Sequence, residues 1–257
     1  MKLLTYQLIG AVNYERVMFD IEGSQYGPHQ VSSAAVAEHF ISRKMVDDAV
    51  VKLIAPLSLQ KPASTDVSVE RLRQNFRNFI NERIRFEGGF SWDVLLIPAI
   101  GTYASDSETW TYESTPRTVA TQVLVEMLND VKVIGNDGAM VVVDVSTGWN
   151  GYIPPILDAL RALMIIDKIE GGLKSRRIEQ AMYVVSEPVY RPVSKQVYKV
   201  YFVDFQVKAS MNLPINKRRD ADNAGNISNY FHSLTYTEKR EINEGFKRSA
   251  DLKKLLS

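Results

Sequence analysis

The sequence predicts an α/β fold, a Rossmann-like doubly wound and mostly parallel sheet, with a small C-terminal helical appendage. Three observations carry that expectation. Short, nearly continuous apolar runs at 3–9, 49–54, 92–98, 139–145 and 180–185 have the length of strands covered on both faces. Stretches of helical periodicity alternate with them, the order of βαβ units. Small or polar loops at 10–14, 101–103, 146–151 and 186–191 follow the strands, and open sheets of this kind bind ligands beyond the carboxyl ends of their strands.

Taken in order, residues 3–9 read as a first buried strand and Gly10-Ala11-Val12-Asn13-Tyr14 as the loop after it. Residues 14–21 are expected as a second strand or a hairpin arm, broken by Gly23, Gly27 and Pro28. Ser32 and Ser33 are expected to cap an alanine-rich helix running through Phe40. The strand at 49–54 stops at Pro56, and 62–66 is a turn. Val69, Leu72, Phe76, Phe79, Ile80 and Ile84 mark one face of an amphipathic helix. After the strand at 92–98, the polar and aromatic stretch up to Pro116 is expected to be irregular, and a helix follows at 119–130. The strand at 139–145 leads through Ser146-Thr147-Gly148-Trp149-Asn150-Gly151 into a helix over 154–169. Proline is tolerated in that helix's first turn, and Gly171-Gly172 should end it. The strand at 180–185 closes at Ser186-Glu187-Pro188, and 197–205 alternates weakly, as an edge strand would. Composition turns polar after Pro214, which places one domain at 1–213 and a linker with a short helical segment at 214–257. Residues 217–257 hold nine Lys/Arg and six Asp/Glu, the balance of a solvated helical appendage.

Composition narrows the function. Apolar residues make up 45% of the chain, enough for a filled core, and charged residues only 24%, against a disordered chain. No cysteine is present, which excludes a disulfide framework, a thiolate zinc site and a cysteine nucleophile, and fits a reducing cytoplasm. No apolar run is long enough to span a bilayer, and the first residues do not read as a signal peptide, so no membrane partner is expected. A net charge of +1 gives no bulk pull on nucleic acid, so any anion site must be local.

The loop Ser146-Thr147-Gly148-Trp149-Asn150 is the most informative feature. It joins a buried strand to a helix start, where hydroxyls and backbone N–H groups can hold a phosphate or a base edge. Gly148 allows close backbone approach, Trp149 can stack on a base or fill the core, and Asn150 can cap the helix or read a purine. Gly10, Ala11 and Asn13 offer the same chemistry after the first strand, and Gly101 and Thr102 after the third. Each of these loops also reads as an ordinary turn when taken alone. None carries the Walker lysine or opens with the dinucleotide fingerprint, which argues against an NTPase or a hydride-transfer enzyme. His29, His39 and His232 lack metal-ligand spacing, so no metal or other cofactor is expected. Asp144, at a strand end, reads as a structural acceptor for loop N–H groups. Arg191 and Lys195 rank as the basic contacts to a phosphate. Lys168 lies about 20 Å along its helix from the ligand end at 1.5 Å per residue.

These segments resemble the Csx-type CRISPR-associated proteins that carry a CARF domain, the sensor module of type III systems. Asp144-Val145-Ser146-Thr147-Gly148-Trp149-Asn150, with Ile153-Pro154 and Ala159-Leu160-Arg161-Ala162-Leu163, is similar to the family's Asp-x-Thr-His-Gly-x-Asn motif and helix, with Ser146 and Thr147 in place of Thr and His. Leu96-Ile97-Pro98-Ala99-Ile100-Gly101-Thr102-Tyr103 is similar to its Pro-Gly-x-Gly-Thr-Phe loop, with Ala99 for one glycine. Gly10-Ala11-Val12-Asn13-Tyr14 matches its first ligand loop, and Val185-Ser186-Glu187-Pro188 matches the short segment after its later strand. The resemblance covers roughly residues 1–213. It implies a homodimer that binds a cyclic oligoadenylate, commonly cyclic tetra-adenylate, through Gly10, Ala11, Asn13, Gly101, Thr102, Ser146, Thr147, Gly148, Trp149 and Asn150. The Arg-x4–6-His pair of the HEPN ribonuclease domain found in many relatives is absent from these 257 residues. The expectation is therefore a stand-alone ring nuclease that opens the messenger without metal, with Arg191, Lys195, Ser146 and Thr147 as its catalytic candidates. The alternatives are a non-catalytic sensor, the sensor part of a longer protein, and a ligand-responsive DNA-binding regulator; the C-terminal segment has only a mild positive excess and no clear helix-turn-helix, so duplex DNA is not expected as a partner.

Overall fold

The computed structural model describes residues 1–10, 12, 14–59, 69–104, 109–135, 137–147, 150–173, 177–187 and 197–207. In chain order these form β1 (Lys2–Leu8), the hairpin β2 (Val17–Ile21) and β3 (Ser24–His29), α1 (Ser32–Ser42), β4 (Asp48–Pro56), α2 (Val69–Asn81) and β5 (Ser91–Ile97). A second hairpin follows, β6 (Gly101–Ala104) and β7 (Thr109–Tyr112). Then come α3 (Pro116–Ile134), β8 (Ala139–Asp144), α4 (Ile153–Leu173), β9 (Ile178–Ser186) and β10 (Val197–Asp204).

Eight strands make one sheet in the order β3-β2-β10-β9-β8-β1-β4-β5. Neighbours from β9 to β5 run parallel, as do β2 and β10; β9–β10 and β2–β3 are antiparallel. The chain winds outward from β1 through β4 to β5, then returns to the other side of β1 for β8 and β9. Right-handed crossovers therefore put α1 and α2 on one face and α3 and α4 on the other. Side chains agree. Leu3, Val51, Val142 and Val184 share one core cluster with Ala34 and Phe40 of α1 and Phe76 and Ile80 of α2. The opposite pleat of β1 and β4 meets α3, where the Tyr6 hydroxyl donates to Asp130 at 2.7 Å and Lys52 pairs with the same carboxylate at 2.6 Å. The doubly wound, mostly parallel α/β sheet expected from the alternating pattern is thus the observed fold.

Several local expectations change. Ser32 and Ser33 do not cap α1. The N-cap is Val31, in extended conformation and without a side-chain cap bond, and both serines lie buried inside the first turn. The stretch before Pro116 is not irregular: Tyr103, Trp110 and Tyr112 alternate with threonines, and the half-buried aromatic face of that alternation holds β6 against β7. Strand β10 is not an edge, because β2 pairs outside it; its weak alternation reflects burial of Tyr198 and Val200 on one face and exposure of Tyr201 and Val203 on the other. Helix α4 continues through Gly171-Gly172 to Leu173.

The chain divides into two compact units, 1–167 with 177–206, and 168–176 with 207–257. Of the second, the described residues are 168–173 and Val207, where the Lys168 ammonium donates to the Val207 carbonyl. The boundary expected at 213/214 and the segment 214–257 lie outside the described residues. No helix among the described residues is long and apolar enough to cross a membrane.

Candidate ligand-binding site

Where strands leave one parallel sheet in opposite directions, the loops after the two central strands part and leave a crevice. Here that point lies between β1 and β8. The two strands pair in parallel up to Gln7 and Asp144, which stand opposite each other, and both side chains are fully buried. A polar pair at the end of a buried sheet must find its partners within the protein.

It finds them in the loops. Ser32 Oγ, at the start of α1, donates to Asp144 Oδ2 at 2.6 Å. The Ser146 amide donates to Asp144 Oδ1 at 2.9 Å, an Asx-type turn that starts the β8–α4 connection. Burial raises the Asp144 pKa above the usual carboxylate value, and hydrogen bonds from Ser146 and Ser32 draw it partly back. The expected role of Asp144 as an acceptor for loop N–H groups is the observed one. Gln7 Nε2 donates to Ser32 Oγ at 3.2 Å and to Thr147 Oγ1 at 3.0 Å, while Gln7 Oε1 accepts from the Ser33 amide at 3.0 Å. Thr147 Oγ1 donates in turn to the Leu8 carbonyl at 2.7 Å. The Ser186 amide, at the end of β9, donates to Ser146 Oγ at 2.7 Å. Three strand ends and the first turn of α1 are thereby knitted into one hydrogen-bonded edge.

The loop after β5 joins from the other side. The Ile100 amide donates to the Tyr152 hydroxyl at 2.9 Å, just ahead of α4, and the Tyr103 hydroxyl donates to the Ile100 carbonyl at 3.0 Å. Burial raises the Tyr152 pKa, so the phenol stays neutral as an acceptor. The Gly10 amide lies 3.3 Å from the Tyr14 hydroxyl, to which it donates.

Among the expected site residues, Gly10, Gly101, Thr102 and Asn150 are exposed, and Ser146 and Thr147 are half-buried. The network brings Ser146 and Thr147 beside the end of β1, just before Gly10; the Ile100–Tyr152 bond brings the segment of Gly101 and Thr102 towards the start of α4. Thr102 faces outward on the hairpin, its hydroxyl 2.9 Å from that of Thr111. Ala11, Asn13, Gly148, Trp149, Arg191 and Lys195 lie outside the described residues. Sequence reading missed Gln7 and Ser32 as site residues, and placed Ser186 in a loop at the ligand end without giving it a role. The signal for Gln7 was there: an amide interrupting an otherwise apolar buried strand needs several fixed partners.

The sequence profile of the family described as CRISPR system endoribonuclease Csx1, CARF domain, matches residues 4–188. No curated protein matches the chain. The matched stretch runs from β1 past the end of β9 and takes in each loop of the edge described above. The chain therefore belongs to the CRISPR-associated CARF-domain family, whose domains sense cyclic oligoadenylates in type III CRISPR systems.

Proposed function

We propose that two copies of this chain bind one cyclic tetra-adenylate across their two-fold axis in the cytoplasm, each copy offering the loops after β1, β5 and β8. The observation that carries this reading is the β1–β8 crevice, whose rims are held by the buried Gln7–Asp144 pair. A cyclic oligoadenylate carries one charge per phosphodiester and presents many acceptor oxygens. Backbone amides after Gly10 and at 147–150 suit it, since they bind anions without placing a mobile charge in the site, while the Gly10 and Ser146 amides are taken up by Tyr14 and Asp144. Asn13, Trp149 and Asn150 supply amide and stacking contacts for adenine in this proposal.

Ring opening is the second part of the proposal. The ribose 2′-oxygen attacks the adjacent phosphorus, the P–O5′ bond breaks, and the products are a 2′,3′-cyclic phosphate and a free 5′-hydroxyl. Arg191 and Lys195 offset charge on the phosphorane. The hydroxyl of Thr147 already donates to a carbonyl, and that of Ser146 accepts from Ser186. Their part is accordingly to fix the loop, and the reaction depends on alignment of the ring.

The test incubates the full chain with labelled cyclic tetra-adenylate in EDTA and separates free, bound and product species. One ring retained per two chains, with linear di-adenylate appearing over time, supports both parts. Retention without product supports the receptor alone and removes the cleavage step. No retention rejects the proposal, and a duplex-DNA shift in the same samples would favour a regulator instead.

A further inference from the structure

Gln7 is fully buried and touches no exposed surface, yet its amide joins two parts of the crevice that are distant in sequence. The directions of its bonds are fixed by its partners. Asp144, as a carboxylate, only accepts, so the Ser32 hydroxyl hydrogen points to it at 2.6 Å. The Leu8 carbonyl only accepts, so the Thr147 hydroxyl hydrogen points there at 2.7 Å. Both hydroxyls are left with lone pairs facing Gln7 Nε2, at 3.2 and 3.0 Å. The Ser33 amide hydrogen faces Gln7 Oε1 at 3.0 Å. Only a group with two hydrogens on one side and an acceptor on the other completes this set. A carboxylate there would face two oxygens whose hydrogens are committed, beside Asp144.

We propose that Gln7 is the positioning residue of the ligand loop: it holds Thr147, and through it the turn after β8, in register with the end of β1 and the first turn of α1. The proposal rests on the reading that this loop binds the ring. Gln7 itself touches no ligand. It sets the loop geometry before the ligand arrives, so its loss appears in affinity as the cost of ordering the loop on binding.

The experiment compares wild type with Gln7→Leu, Gln7→Glu, Thr147→Val, Thr147→Ser and the double variant Gln7→Leu/Thr147→Val. Each is measured for cyclic tetra-adenylate affinity, for Tm, and for amide hydrogen exchange of ligand-free peptides spanning the β8–α4 connection. Gln7→Leu and Thr147→Val should each weaken binding about tenfold, and the double variant little more than either single one, because both remove the same bond. Thr147→Ser, which keeps the hydroxyl, should bind within about twofold of wild type, and Gln7→Glu should be at least as weak as Gln7→Leu. Exchange in the connection should rise in Gln7→Leu without ligand. A lower Tm with unchanged affinity of the folded protein would make Gln7 merely structural and overturn the proposal, as would independent, multiplying losses in the double variant. Should wild type bind no ring, the function proposed above fails, and exchange still decides on Gln7: unchanged protection in Gln7→Leu and Thr147→Val overturns its role. Should Gln7→Leu fail to fold, Thr147→Val against Thr147→Ser reads the same bond from its other end.

Discussion

Ser32 and Ser33 are adjacent in the first turn of α1 and equally inaccessible, at 2% and 0% exposure, but replacing them with alanine should have opposite effects. Ser32 Oγ donates to the Asp144 carboxylate at 2.6 Å and accepts from Gln7 at 3.2 Å. Ser32→Ala removes a charge-assisted bond worth about 1.5–3 kcal/mol and leaves a buried amide hydrogen short of one partner, for a loss of roughly 2–4 kcal/mol. For a unit of this size that is a fall in Tm of roughly 5–15 °C. Ser33 Oγ is buried with no hydrogen-bond partner among the described residues, and it is the Ser33 backbone that bonds Gln7. Ser33→Ala keeps that bond, removes an unsatisfied hydroxyl and improves helix propensity by about 0.5 kcal/mol, so it should be neutral or stabilise by up to about 1.5 kcal/mol. Thermal and urea unfolding of the two variants, followed by circular dichroism, gives the comparison. Equal destabilisation by both would refute the hydrogen-bond assignment, because a packing effect alone would not separate them.

His39 is buried against Tyr26, Glu22 and Arg43, and its pKa is lowered, first by burial and then by Arg43, with Glu22 opposing. The unfolded chain therefore takes up this proton at a higher pH than the folded one, so this contribution is complete above about pH 6.5 and lost as pH falls. Urea midpoints should drop between pH 7.5 and 5.5, less so in His39→Gln; equal slopes would reject the assignment. Tyr6→Phe should cost about 1 kcal/mol, whereas Asp130→Ala should cost about 3 kcal/mol, because it strips the partner from Lys52, whose side chain is only 14% exposed. Chemical denaturation checks the order. At Gly27, φ is +115° and a Cβ would lie 2.7 Å from the His29 nitrogen and 3.0 Å from the Val17 carbonyl oxygen, both backbone atoms. Gly27→Ala should thus cost about 2 kcal/mol or more, while Gly89→Ala, which meets open space, should change stability by less than about 0.5 kcal/mol.

The periodicity of the chain made the winding of the sheet legible, because buried parallel strands are apolar on both faces and their loops gather at one end. It did not show which strands would lie at the edges. The pairing of β2 with β10 joins opposite ends of the described chain, and no local pattern encodes it. The same limit applies to the site. Ser146, Thr147 and Asp144 stood out because they sit in one strand–loop–helix segment. Gln7 and Ser32 did not, and Ser186 was read only as part of a loop, since each acquires its role only when the sheet sets it beside that segment. The hairpin of β6 and β7 was missed for another reason: its threonines and exposed face read as polarity, while the cross-strand contact of Tyr103 and Tyr112, with ring centroids 5.7 Å apart, is invisible in one dimension.

Placing the ligand is the most direct measurement. Irradiation of the full chain with photoreactive 8-azido cyclic tetra-adenylate, followed by digestion and mass spectrometry, reports which peptides lie against the adenines. Binding at the β1–β8 crevice predicts label in peptides containing residues 10–14 and 146–150, suppressed by unlabelled ring. Label confined to peptides of α2 or α3, or spread over the chain and insensitive to competition, would contradict it.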